Sequence, residues 1–296
     1  MSYVTLALCA YALFALTNVL DKVVLGPRRV DPIGYLLTSA LWSPLALALI
    51  PWATLAPPGA SRVAAGLAAG ACFFLMLVAY FNAAQREEIT RVAPLWEMAP
   101  IFAWILARLT LDERLSTTGG IAFALLIFGG LLLSARRPRD LLVPSTALLL
   151  MIPATALWAA HNVFAGVLLR GYDPLAGYLI VRCGMLLTAA ASLAAPRARR
   201  GLRETLRQSA GTHLLIGFTV VLSIIGFVLL MHAIQRGPVS IVTALGGSAG
   251  LFVLVYVAIL NFFRPGWIEE TGSAGVIAQK VVGTLFLGVG IEILGL

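Results

Sequence analysis

The sequence predicts an all-α integral membrane protein with ten transmembrane helices in two inverted five-helix repeats. Hydrophobic residues make up 60% of the 296 residues and charged residues only 11%, with a mean hydropathy of +0.95. A soluble chain carries roughly 25% charged residues. Apolar runs long enough to cross a hydrocarbon core of ~30 Å recur along the whole sequence. Short motifs of the first half also return, in the same order, in the second half.

The repeated motifs indicate that the chain is built from two related halves. Their offsets are 144, 142 and 150 residues, so only the loops differ in length. Each half is predicted to hold an odd number of spans, and the second half must therefore enter the membrane from the opposite face. We expect one repeat at 1–138, a linker at 139–144 and the inverted repeat at 145–296. The matched motifs are Phe14–Val19 with Trp158–Val163, Asp31-Pro32 with Asp173-Pro174, and Val92–Leu95 with Val242–Leu245.

Each predicted span is expected to be a helix, because a backbone polar group in lipid has to be satisfied within its own segment. Prolines at predicted starts and glycines at predicted ends agree with this. Pro94, Pro100 and Pro153 lie inside spans and predict kinks. Residues 197–210 are predicted to form a basic surface helix, and residues 265–277 an irregular loop. The predicted spans are 3–25, 32–53, 63–84, 91–110, 117–135, 146–168, 174–195, 213–235, 239–262 and 278–296.

The distribution of Lys and Arg predicts the orientation. When each is assigned to its nearest span end, the loops after odd-numbered spans hold 15 of the 21 and the opposite face holds 5, while Arg182 lies inside the seventh span. Cytoplasmic loops carry the excess of basic residues, so we expect both termini outside, in a bacterial inner membrane. The basic loops are also expected to contact lipid head groups. Their residues are scattered rather than gathered on one basic face with interleaved aromatics, which argues against nucleic-acid binding.

Glycines, cysteines and the absence of enzyme motifs limit the kinds of site that the sequence can form. Gly66-xxx-Gly70 and Gly246-xxx-Gly250 offer close contacts between helices. Cys9, Cys72 and Cys183 have no paired spacing, so we expect buried small hydrophobes rather than a disulfide or a metal site. The sequence has no nucleotide-binding glycine loop, no HExxH zinc motif and no nucleophile elbow. We therefore predict that the protein is not an enzyme and holds no cofactor.

Several motifs resemble the EamA-type ten-helix exporters of the drug/metabolite transporter superfamily. The resemblance rests on Gln85-Arg86 before Val92–Leu95, on Leu111–Ser116 and on Phe128-Gly129-Gly130, and it covers essentially the whole chain. It implies ten helices and membrane transport as a class, and it leaves the substrate open. The second repeat departs from the pattern with a longer loop that begins at Arg264. Members of the family usually have cytoplasmic termini, whereas we follow the charge distribution of this chain.

Ionisable side chains inside the spans are the first candidate site residues. A charged group in hydrocarbon costs about 2.5–3.5 kcal/mol and therefore usually faces a partner in the bundle interior. Glu97 is expected to lie roughly 9 Å deep, one turn after Pro94. It is either a carboxylate that exchanges a proton during transport or a structural partner for Lys22 or Arg182. We favour proton exchange.

The other polar candidates form two layers, one on each side of the midplane. Arg182 either pairs with Glu292 or binds an anionic group through its fork of donors. His161 titrates near neutrality, but a single His on a helix face is more often simply hydrogen-bonded. Asn18 and Asn162 either contact substrate or join helices across the repeat interface.

Aromatic side chains complete the candidate site. Tyr80, Trp96 and Trp158 either line a pocket for cations or flat groups, or serve only in packing. The full set of candidate substrate and coupling residues is Glu97, Asn18, Arg182, His161, Asn162, Trp158, Trp96, Tyr80, Lys22, Asp21 and Glu292.

The sequence predicts a secondary transporter that moves a small metabolite by alternating access and is coupled to protons through Glu97. One alternative is a flippase for a lipid-linked head group, which the basic loops and an apolar lining would suit. Another is a non-transporting membrane scaffold or partner subunit. Asp21 and Lys22 correspond to Ala165 and Gly166 in the second half, and a scaffold would not need such a polarised cavity. We expect a monomer or a homodimer.

Overall fold

The computed structural model describes the backbone of residues 1–25, 30–56, 58–86, 93–134, 146–263 and 274–295. Within these ranges the chain is helical and has no strand. Helix ends differ from the predicted ends by at most four residues. The α-helices are α1 (Tyr3–Leu25), α2 (Pro32–Leu41), α3 (Ala60–Arg86), α4 (Ala99–Thr110), α5 (Thr117–Ser134), α6 (Thr146–Leu169), α7 (Pro174–Ser192), α8 (Pro196–Leu206), α9 (Ala210–Arg236), α10 (Val239–Ala244), α11 (Ser248–Phe263) and α12 (Ala274–Ile293).

Three predicted spans are interrupted rather than continuous. The second continues from α2 into a 3-10 segment at Ser43–Trp52, and the fourth begins with a 3-10 segment at Ala93–Met98 before α4. The ninth consists of α10, a 3-10 turn at Leu245–Gly247 and α11. The span predicted to kink at Pro94 and Pro100 changes from a 3-10 segment to an α-helix between these two prolines, whereas Pro153 lies inside α6 without ending it.

Two helices begin with the same capping arrangement, one in each half. The Asp31 carboxylate accepts a hydrogen bond from the Gly34 N–H at 3.0 Å, and the Asp173 carboxylate accepts one from Ala176 at 2.9 Å. A proline follows each aspartate, where its missing N–H removes no intrahelical bond. The repeated Asp-Pro motif is therefore a repeated helix start.

Seven helical stretches of the described residues are long and apolar enough to cross a membrane. The prediction of a multi-pass membrane protein is confirmed, and the count of ten spans stays a prediction. The predicted surface helix corresponds to α8, which ends at Leu206 instead of 210 because α9 starts soon after, with Ser209 as its N-cap. The predicted loop at 265–277 lies mostly outside the described residues, and α12 begins within it at Ala274.

Helices of the two halves pack against each other. α3 lies along α6 and α7, α1 lies along α9 and α11, and α5 packs on α12. α4 packs on α6, and the surface helix α8 covers α2. The largest buried cluster draws its side chains from α1, α6, α7 and α9, so the core lies at the interface between the halves.

Glycines allow α3 to approach α7 closely. A Cβ atom at Gly70 would overlap the backbone of α7 at Val181, and one at Gly184 would overlap the backbone of α3 at Leu67. Gly66, one turn before Gly70, also faces α7. Small residues that bring two backbones together are a standard way to associate helices in lipid. The contact predicted from Gly66 and Gly70 is confirmed.

Glu113 connects the loop after α4 to the first turn of α10. Its carboxylate accepts hydrogen bonds from the backbone N–H groups of Val239 at 2.7 Å and Ser240 at 3.2 Å, and from the Ser240 hydroxyl. The first N–H groups of a helix have no acceptor within the helix. A negative charge there also interacts favourably with the helix dipole. This contact ties the first half to the second at one face of the bundle.

The cysteines differ from their predicted burial. Cys9 and Cys183 are exposed and Cys72 is partly buried, all as free thiols. The expectation of buried side chains is therefore wrong for Cys9 and Cys183. Lipid is as apolar as the protein interior, so a small hydrophobic side chain gains little by facing inward.

The glycine contact predicts a clear stability difference. Gly70→Ala and Gly184→Ala each force α3 and α7 apart, which we expect to cost about 1–3 kcal/mol through overpacking. Gly120→Ala is the matched control, because a Cβ at Gly120 has no atom within 4 Å. Thermal melting in detergent measures the effect. Equal melting temperatures for Gly70→Ala, Gly184→Ala and Gly120→Ala would contradict the close approach.

The Glu113 contact gives a second stability prediction. Glu113→Ala leaves the N–H groups of Val239 and Ser240 without their acceptor, at an expected cost of about 1–3 kcal/mol. Glu204→Ala on the exposed surface of α8 is the control and should melt like the wild type. A Glu113→Ala protein that melts with the control would mean that water replaces the carboxylate at no cost.

Candidate functional site

Aromatic rings from four helices meet in the middle of the bundle. We call Phe73 of α3, Trp158 and His161 of α6, Tyr178 of α7 and Phe227 of α9 the central cluster. The Trp158 and His161 rings are stacked, with centroids 5.1 Å apart and planes at 13°. Phe73 lies 4.8 Å from Phe227 and 5.4 Å from His161, and Tyr178 stacks on Phe227 at 6.2 Å. Two predicted site residues, Trp158 and His161, are thus brought together.

His161 is fully buried and presents one free ring nitrogen to the central cluster. Its Nδ1 lies 2.9 Å from the backbone oxygen of Ala69 in α3. A carbonyl oxygen can only accept, so Nδ1 carries the proton of this hydrogen bond. Nε2 is buried and has no partner. The hydrogen bond to Ala69 therefore occupies only one of the two ring nitrogens. A transport role for His161 stays a prediction.

Arg182 is a buried cation without an ion pair in the described part of the chain. Its side chain is 6% exposed, Nε has no partner, and Nη1 lies 2.9 Å from the Met185 sulfur, which is a weak acceptor. The guanidinium carbon is 5.7 Å from the centre of the Tyr178 ring. The pair with Glu292 considered from the sequence is not formed, because Glu292 is exposed near the end of α12.

A small cavity lies beside Arg182 and the central cluster. Its volume is about 10 Å³, enough for roughly one water molecule. A metabolite does not fit in this space as it stands. The lining residues are Phe73, His161, Tyr178, Val181, Arg182, Met185 and Phe227.

Glu97 belongs to the 3-10 segment ahead of α4, and its carboxylate lies between two glycines. A Cβ at Gly130 of α5 would overlap the carboxylate, and one at Gly247 would lie 3.1 Å from Oε2. The side chain is 6% exposed and forms no ion pair with any described residue. Arg182 is therefore not its partner, and the side chain of Lys22, the other partner considered, lies outside the described residues.

A second polar and aromatic group forms near the end of α1. The Tyr35 hydroxyl donates a hydrogen bond to Asp21 and lies 3.4 Å from the Thr219 hydroxyl. Tyr80 and Trp96, both predicted to line a pocket, have ring centroids 5.2 Å apart. Two groups of sequence-predicted residues thus form, one around Asp21 and one around Arg182, whereas Glu97, Asn162 and Glu292 lie outside both.

The two asparagines at matching repeat positions have different surroundings. Asn162 is fully buried, and its amide donates to the Thr243 hydroxyl at 3.2 Å, which joins α6 to α10. Its oxygen is buried without a partner. Asn18 is exposed and makes no hydrogen bond with the described residues. Asn162 thus joins helices, whereas Asn18 does not, and substrate contact by Asn18 stays a prediction.

Loop contacts connect several elements at the face of the bundle that carries Glu113. The Tyr172 hydroxyl donates to the backbone oxygen of Ala56 at 2.9 Å, and the Gln235 amide donates to the backbone oxygen of Tyr172 at 2.7 Å. Arg170 donates to the backbone oxygen of Leu111. These bonds, together with the Glu113 contact, link the two halves at this face, around a cavity of about 230 Å³ that Glu113, Arg170 and Gln235 help to line.

Sequence reasoning missed several residues of these groups. Tyr35 and Tyr178 follow the repeated Asp-Pro motif, so their repetition was the available signal. Glu113 lies in the short turn that resembles the family signature. Phe73 and Phe227 gave no signal, because a phenylalanine that faces the interior cannot be told by sequence from one that faces lipid.

Comparisons with known proteins agree with the fold and the motifs. The sequence model of the EamA-like transporter family matches residues 1–135. No curated protein matches the chain. A solved structure described only as "Crystal structure of protein" is 17% identical, with a TM-score of 0.68 over 98% of this chain and 97% of that one, which shows a shared fold. Residues 1–135 of this multi-pass membrane protein are therefore similar to the EamA-like transporter family, which is part of the drug/metabolite transporter superfamily.

Proposed function

We propose that this protein is a secondary transporter of a bacterial inner membrane that moves a small metabolite by alternating access. In this proposal its ten spans form two inverted repeats, at 1–138 and 145–296, and Glu97 couples transport to protons. The EamA-like match supports membrane transport, and that family is generally not enzymatic.

The pattern of helix contacts supports the inverted repeat. The packing of α1 on α9 has a counterpart in the packing of α6 on α3, as expected if α1 and α6 are equivalent. The packing of α1 on α11 corresponds in the same way to that of α6 on α4. α5 and α12, the last helices of the two halves, pack on each other. The shared capping at Asp31 and Asp173 adds a local match.

The observation that carries the proposal is that each half has an interrupted helix at the matching sequence position. Glu97 lies in the interruption of the first half. With the offset of 150 residues, Glu97 corresponds to Gly247, which its carboxylate contacts. Interrupted helices at matching positions of inverted repeats are where secondary transporters bind substrates and coupling ions. A carboxylate without an ion pair at this depth is free to alternate between a charged and a neutral form. Proton coupling needs such a group.

The difference between the two faces supports alternating access. Asn162 is buried toward the face that carries Glu113, whereas its counterpart Asn18 is exposed. Two inverted repeats that exchange these environments would open one face while they close the other. A scaffold protein gives no reason to bury Glu97 and Arg182 without ion pairs, since each buried charge opposes folding.

Glu97→Gln is expected to abolish the pH dependence of substrate flux and to leave the melting temperature close to that of the wild type. A proton-coupling carboxylate spends part of its cycle neutral, and glutamine resembles that form. A structural carboxylate would instead leave its partner unpaired, at a typical cost of roughly 3–5 kcal/mol. Melting in detergent and flux into proteoliposomes at several pH values measure both effects.

The control for Glu97→Gln is Glu204→Gln, which removes an exposed carboxylate on α8. It should change neither melting nor flux. If Glu97→Gln melts well below this control, or transports with an unchanged pH profile, the carboxylate is structural and the coupling mechanism is wrong.

Orientation gives an independent prediction. A cysteine that replaces Arg203, exposed on α8, should be protected from a membrane-impermeant maleimide in intact cells and should react after permeabilisation. A cysteine that replaces Ala60, exposed at the start of α3 on the opposite face, should react in intact cells. Cys9, Cys72 and Cys183 are first replaced by alanine. The reverse pattern would place the termini in the cytoplasm.

A further inference from the structure

We propose that Arg182 and Tyr178 hold the carboxylate of a small organic anion whose flat apolar part lies against the central cluster. The inference rests on the proposed transport function, because it names the substrate class of the central site. It depends on three buried polar atoms without a hydrogen-bond partner among the described residues, which are Nε of Arg182, the hydroxyl oxygen of Tyr178 and Nε2 of His161.

The guanidinium of Arg182 has no counter-ion among the described residues. A guanidinium buried at mid-depth of a membrane protein is strongly disfavoured unless an anion or several hydrogen bonds compensate it. Among the described residues it has only a sulfur contact and the face of the Tyr178 ring. The planar fork of Arg suits a carboxylate, which accepts two parallel hydrogen bonds. An anionic ligand would therefore supply the compensation that the protein does not.

The comparison of the two halves shows which group is missing. In the first half the Tyr35 hydroxyl donates to the Asp21 carboxylate. Tyr178 follows the Asp-Pro motif of the second half one position later than Tyr35 follows that of the first. The position of Asp21 is occupied by Ala165, and the Tyr178 hydroxyl is buried without a partner. The second half thus keeps the donor and lacks the carboxylate. A substrate carboxylate would take the same role toward Tyr178 as Asp21 takes toward Tyr35.

The central cluster determines the rest of the ligand. The ring centroids of Phe73, Trp158 and Phe227 lie 4.8–6.3 Å from one another. Such an aromatic surface suits the flat apolar part of a ligand. Aromatic rings also attract cations, but a cationic ligand would be repelled by Arg182. The free Nε2 of His161 accepts a hydrogen bond in the neutral ring, so a donor group on the ligand would complete the site.

The test uses benzoate as the probe anion and purified full-length protein in detergent. Benzamide is the neutral isostere, benzylammonium is the cation, and inorganic phosphate is an anion without an apolar body. Each is added at the same ionic strength, and the melting temperature is followed against concentration. We expect a saturable rise with benzoate only, because a ligand that binds the folded protein alone stabilises it.

The variants separate a ligand site from a structural one. Arg182→Met should abolish the benzoate effect and melt at or above the wild-type temperature without ligand, because an uncompensated buried charge has been removed. Tyr178→Phe should weaken benzoate binding by about tenfold, the loss of one hydrogen bond to a charged group. Arg203→Met, on the exposed surface of α8, is the matched control and should bind benzoate as the wild type does.

Several outcomes would overturn the inference. Arg182→Met melting far below the wild type would make Arg182 a structural residue. Equal effects of benzoate and benzamide would remove the charge requirement, and equal effects of benzoate and phosphate would remove the aromatic wall. Binding is measured without transport, so a protein that binds benzoate but shows no flux of any substrate contradicts only the proposed function. Proton-dependent flux without benzoate binding contradicts only the substrate class.

Discussion

The inability of hydrocarbon to form hydrogen bonds is the constraint on which this structure depends. It makes every spanning segment a helix, because only a helix satisfies its backbone within itself. The same constraint makes each interruption of a helix costly, so interruptions are expected only where the protein interior can accommodate them. The segments at Ala93–Met98 and Leu245–Gly247 are such places, and both lie against glycines or small side chains in the middle of the bundle.

The two halves use the same scaffold for different electrostatics. In the first half Asp21 already has the Tyr35 hydroxyl as a hydrogen-bond donor. In the second half Arg182 and the hydroxyl of Tyr178 have no such complement among the described residues. In the sequence alignment of the two halves, Ala165 stands where the first half has Asp21, so the second half has no carboxylate at that position.

Much of the helical framework was predictable from sequence, because long apolar runs and Asp-Pro or Gly-Pro boundaries have few structural interpretations in a membrane. The repeat was visible for the same reason. The partners of the polar residues were not predictable. The position of a residue in the sequence gives its depth in the membrane but not the direction in which its side chain points. The depth of Arg182 was therefore predictable, but the absence of an ion pair with Glu292 was not. Likewise Asn18 and Asn162 look equivalent in sequence, and only packing distinguishes the exposed side chain from the buried one.

The glycine contact between α3 and α7 determines which parts of the protein move together. At Gly70 and Gly184 the two backbones touch without intervening side chains. α3 belongs to the first half of the chain and α7 to the second. Any movement that separated the first half from the second as two rigid bodies would therefore have to break this contact and expose backbone that no side chain covers.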